Sequence, residues 1–120
     1  MVTTFNVIAA LLTIGFGLFG FLAPAHTASA LDLAPTNSTM GLSEMRASVG
    51  GLFVVTGLVV LWLNHPMAYM MLGVAYAGAA LGRFVSVALD NPPLVKALTF
   101  GGIELVLALW LILANVNRAT

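Results

Sequence analysis

The order of apolar and polar positions divides the chain into four long apolar runs separated by helix breakers. The first, about residues 4–23, carries only Asn6 and Thr13 as interior polar positions. Roughly twenty residues at about 1.5 Å each reach about 30 Å, the thickness of a bilayer's hydrocarbon core. Gly15, Gly17 and Gly20 keep one flank of this run small, which suits close helix packing. Pro24 ends it, and residues 24–42 read as a polar connection with at most a short turn at 28–33.

The second run spans about residues 43–63. Asn64-His65-Pro66 reads as a tight turn, with Pro66 suited to the first position of a third run over 66–89. Asp90-Asn91-Pro92-Pro93 breaks the chain again, and a fourth run covers about 94–114. Short connections after the second and third runs make successive helices antiparallel neighbours. The expected fold is all-α: one transmembrane domain over residues 1–120, an up-down four-helix bundle. A gap-free echo relates Gly50-Gly51-Leu52 through Asn64 to Gly101-Gly102-Ile103 through Asn115, sharing Val55/Val106 and Leu58/Leu109. Gly, Val and Leu are so common in membrane spans that coincidence explains this echo better than a tandem hairpin repeat does.

One competing account exists for the N-terminus. Residues 5–22 have the length of a secretory signal core, and Ala28-Ser29-Ala30 has the small-x-small form of a cleavage site. No Lys or Arg precedes the run, so it reads as a retained helix.

Composition strengthens the membrane reading. The chain is 61% hydrophobic and 7% charged, whereas soluble domains are about a quarter charged. A 12.5 kDa domain in water still exposes much of its surface and could not hide this much apolar area. Four basic and four acidic residues balance to zero, leaving no basic face for nucleic acid. Cysteine is absent from the sequence, which excludes disulfides and thiolate chemistry. His26 and His65 fall in loops at opposite ends of the expected spans, so they cannot share a metal or a haem. Met67, Met70 and Met71 read as adaptable packing. Neither a metal site nor a cofactor is expected, and no phosphate loop, nucleophile elbow or His-Glu metal motif occurs.

Four of the eight charges lie in or at the apolar runs: Glu44, Arg46, Arg83 and Glu104. Glu104 is ten residues past Leu94, about 15 Å into its helix and too short to reach a headgroup. A central acidic residue costs about 2.5–3.5 kcal/mol to insert, so it requires a partner or a proton. Arg83, in the adjacent antiparallel run, is its expected counter-ion. Arg46 lies about one turn inside the second run, on a stripe with Gly50, Phe53 and Gly57, and can snorkel. Glu44 can cap first-turn amides. These residues are expected to form a buried neutral quartet, either as a ligand or proton site or as a device fixing helix register. Gly50, Gly51, Gly57, Gly78 and Gly82 are the expected packing glycines, with Gly78-Ala79-Ala80-Leu81-Gly82 drawing a neighbouring backbone toward Arg83.

Ser43-Glu44-Met45-Arg46-Ala47 followed by Gly50-Gly51, then Gly82-Arg83, then Glu104, resembles a bacterial family of small four-span membrane proteins catalogued only as a domain of unknown function. The resemblance covers nearly the whole chain. It implies a bacterial inner-membrane location and carries no activity with it. Four spans place both termini and His65 on one side; Arg118 there balances Lys96 opposite, so cytoplasmic termini are only slightly favoured. The expected role is non-enzymatic association, such as an accessory subunit of a membrane complex or a homo-oligomer, with lipid as the surrounding partner. The alternative is a unit that binds or transports a lipid, a quinone headgroup or a proton through the charged cluster. A membrane enzyme fits least, because no nucleophile or metal accompanies the acid and base groups.

Overall fold

The computed structural model describes residues 2–119, and they are all-helical. Five helices follow in order: α1 (Val2–Leu22), α2 (Pro24–Ala30), α3 (Met40–Leu63), α4 (Pro66–Leu89) and α5 (Leu94–Asn115). All but α2 are long and apolar enough to cross a membrane. The chain forms two compact units, residues 3–63 and the chain from Asn64 onward.

In the first unit α1 and α3 run antiparallel at very short range, and glycines set the spacing. A Cβ on Gly50 would lie 2.6 Å from the Phe21 backbone nitrogen, and one on Gly57 would lie 2.5 Å from Ile14 Cγ1. Gly17 meets Phe53 and Val54 in the same way, and Gly20 meets Val49 and Gly50. Only hydrogen side chains permit this approach. The buried Thr13 hydroxyl is satisfied by donating to the Ala9 carbonyl at 2.8 Å.

Two features of this unit depart from expectation. Pro24 does end α1, but it also opens α2, a seven-residue helix where a polar connection was expected. Proline suits a helix's first turn because its φ is preset and its missing N–H would have no partner there. The Thr27 hydroxyl adds a bond back to Ala23, and Asp32 then leaves the helix with φ 60, a left-handed conformation that Asp tolerates. The second departure is α3, which starts at Met40 instead of residue 43 and winds as a π-helix over Met45–Gly51. Ala47, Ser48, Gly50 and Gly51 have small side chains that do not resist the wider winding. Long π segments are rare and are often found at functional sites.

The second unit is a hairpin with a shorter connection. His65 caps α4 with Nδ1, which accepts from the Met67 amide at 3.1 Å, and Pro66 takes the first helical position. Asn64 turns the chain with φ 44 and accepts a 2.8 Å hydrogen bond from the Tyr69 hydroxyl. Asn91, at φ 52, makes the return turn before Pro92 and Pro93. A Cβ on Gly73 would lie 2.8 Å from Leu111 Cβ, so here too a glycine fixes the approach.

The two hairpins bury the same register. Asn6, Ala9, Ala10, Thr13 and Gly17 are buried on α1; each position 63 residues further on (Tyr69, Leu72, Gly73, Tyr76 and Ala80) is buried on α4. In the second helices the offset is 51: Gly50, Gly57 and Val60 answer to Gly101, Ala108 and Leu111, all buried. Contacts repeat as well. Gly50 abuts Phe21, and Gly101 abuts Phe84, the residue 63 positions after Phe21. The offsets differ by twelve, the extra length lying in the first connection, where α2 sits.

Candidate functional site

The inward stripe of α4 continues past Ala80 to Arg83, and that of α5 includes Glu104 between Gly101 and Ala108. Antiparallel packing brings the two side chains together as a bidentate pair. Arg83 Nε donates to Glu104 Oε1 at 2.9 Å and Nη2 donates to Oε2 at 3.2 Å. Such fork-to-fork pairing fixes orientation as well as charge. The guanidinium carbon also lies 5.4 Å from the centre of the Phe100 ring, a cation–π distance. Gly101 makes the room: a Cβ there would lie 3.1 Å from Arg83 Cγ and 3.0 Å from the Phe84 ring.

The pair is not buried. Arg83 and Glu104 retain 33% and 16% of their side-chain exposure, and Glu44 and Arg46 are exposed as well, so the expected buried quartet is corrected on this point. Bidentate bonding to Glu104 uses only one edge of the guanidinium. Its Nη1 donors hydrogen-bond to no described residue, leaving a neutral pair with an open donor edge.

Glu44 and Arg46 find local partners in the first hairpin. Arg46 Nη1 donates to the Phe21 carbonyl at 2.6 Å. That oxygen is among the last carbonyls of α1, which lack helical donors, and a cation there also meets the negative end of the helix dipole. Arg46 is thus a side-chain cap on α1. Glu44 is not a first-turn cap, because α3 begins four residues earlier; its Oε2 accepts from Ser48 Oγ at 3.0 Å, one turn on.

The glycines divide by role. Gly50 and Gly57 are packed against α1, while a Cβ on Gly51 would touch only Arg46's own carbonyl oxygen at 3.5 Å. Gly78 and Gly82 have open space where a Cβ would point, as do Gly15 and Gly102. The expectation that Gly78 and Gly82 draw a backbone toward Arg83 is therefore corrected: Gly101 holds the Arg83 stem. The sequence echo at Gly50/Gly101 was the available signal for Gly101. Nothing in the pattern marked the Phe21 carbonyl as the Arg46 acceptor. Among the described residues, no three His, Asp or Glu side chains converge in a metal-binding arrangement.

A family model described as "Domain of unknown function (DUF4345)" matches residues 1–115. Neither the curated proteins nor the solved structures yielded a match.

Proposed function

The chain belongs to the DUF4345 family, a domain of unknown function, and from that premise we propose that it is an integral membrane protein acting by association with another membrane chain. One observation carries the reading. Gly78 and Gly82, one turn apart on α4, form a small-residue face that the partner helix of their own hairpin leaves open. In lipid, where apolar side chains gain nothing by clustering, helices associate through close backbone approach at such residues. The surrounding exposed apolar side chains, including Val74, Leu81 and Val85, are at home in acyl chains. In this reading the protein resides in the bacterial inner membrane with its termini in the cytoplasm. Its role is that of an accessory subunit, with no reaction of its own.

The sequence lacks cysteine, so Gly82→Cys supplies a unique reactive handle. Cross-linking from that position in native membranes is expected to capture a membrane-protein partner. Adding Gly78→Ile to the Gly82→Cys chain should weaken the capture at least tenfold at unchanged helix content. Efficient reagent incorporation with no protein adduct would contradict the reading.

A further inference from the structure

The Arg83–Glu104 pair invites two explanations, a device for helix register or a binding site. The first hairpin is an internal control. The positions equivalent to Arg83 and Glu104 are Gly20 and Phe53, at offsets of 63 and 51. Neither is charged, yet that hairpin buries the same register, with Gly50 against the Phe21 backbone where the second hairpin sets Gly101 against the Phe84 ring. Register therefore does not require the pair. The second hairpin carries it in addition to the packing pattern that both share.

The environment defines what such a site would take. Arg83 lies six residues before Leu89, about 9 Å along the helix, and Glu104 lies about 15 Å from Leu94. With α4 and α5 as spans, which rests on the membrane reading above, the pair sits within the hydrocarbon. While Glu104 holds the guanidinium fork, the side chain cannot reach up to the headgroups. Its remaining N–H groups point to no described acceptor, and an unmet donor in hydrocarbon costs several kcal/mol. The pair is already neutral, so an anion would bring an uncompensated charge into that medium. An uncharged acceptor would not. The Phe100 ring beside the guanidinium adds an apolar wall.

We infer that the Arg83–Glu104 pair, with Phe100, is a binding site for an uncharged, membrane-soluble molecule that presents a carbonyl oxygen to the free edge of Arg83. Glu104 is the positioning residue that holds the fork and cancels its charge. A quinone-type ring and the acyl ester of a lipid share this chemistry.

The test uses the full chain labelled with 15N-arginine in nanodiscs of ether-linked lipid, which lacks carbonyls. Duroquinone is titrated, and the Arg83 side-chain resonances are read; three arginines make assignment simple, by loss of signal in Arg83→Lys. A saturable Arg83 shift, with Arg46 and Arg118 unmoved, supports the site and a small-molecule source. An Arg83 shift on exchanging ether for ester lipid, without quinone, supports the same chemistry with lipid as the source. Arg83→Lys, which keeps the charge and loses the fork, should weaken the quinone-dependent rise in thermal midpoint at least tenfold in ligand concentration. A second variant, Arg83→Gly with Glu104→Phe, installs the residues of the first hairpin. It should insert and fold at near wild-type midpoint and show no quinone-dependent rise. Silence of Arg83 toward both carbonyl sources overturns the inference, and so does failure of the double variant to fold, because the hairpin would then need the pair. Partner capture from Gly82→Cys is independent of each of these results, so the association reading stands or falls separately.

Discussion

Gly50 and Gly51 are chain neighbours with opposite tolerances. A methyl group on Gly50 meets the Phe21 backbone, which cannot yield as a flexible side chain would, whereas one on Gly51 meets almost nothing. Gly50→Ala is expected to destabilise by about 1–3 kcal/mol, the usual range for overpacking. Gly51→Ala should stay within about 0.5 kcal/mol of wild type, the usual range for substitutions that touch nothing. Thermal unfolding of the two variants in the same detergent checks the contrast. At this scale the sequence was half legible. Arg83 and Glu104 could be matched because each is the interior charge of an adjacent apolar run and charges in such runs need partners. Arg46 could not, because its acceptor is a backbone carbonyl freed by the end of α1, and carbonyls leave no mark on residue pattern. Exposure of the pair was also out of reach, since depth along a helix does not tell how much of a side chain its neighbours cover.

Helix ends follow local chemistry closely. The boundaries at Pro66, Leu89 and Leu94 were legible because Pro, Asn and Asp constrain the backbone at those breaks. The missed element, α2, lies where small polar residues give no helical periodicity; only Pro24 hinted at a start. The π winding of Met45–Gly51 was likewise hidden, because an apolar run reads the same whether its turns are wide or narrow. His65 is an uncommon cap residue: its Nδ1 does the work that Ser, Asp or Asn oxygens usually do, and a carboxylate there would also meet the positive end of the α4 dipole. His65→Asp should therefore stabilise the second hairpin by about 0.5–1 kcal/mol. A raised midpoint in thermal or SDS unfolding is the expected result, with His65→Ala falling below wild type.

Across the whole chain, two hairpins of common register carry different additions. The first has a long connection, a π-helical stretch and an arginine that caps its partner helix. The second has the partly exposed Arg83–Glu104 pair and the Gly78–Gly82 face that its own hairpin leaves open. The sequence echo at 50–64 and 101–115 was too generic to establish this alone; the matching buried positions on α1 and α4 give it weight, because those residues differ in type. The proposed role depends on α1, α3, α4 and α5 all crossing a bilayer. The absence of native cysteine allows that claim to be tested directly, by placing single cysteines at His26, His65, Asn91 and Arg118 and at the buried positions Ala10 and Ala108. Intact membrane vesicles of both orientations are then treated with a membrane-impermeant maleimide. Four spans predict that positions 26 and 91 react from one side, 65 and 118 from the other, and 10 and 108 from neither. Reaction of all four loop positions from the same side, or ready labelling of 10 and 108, would contradict it.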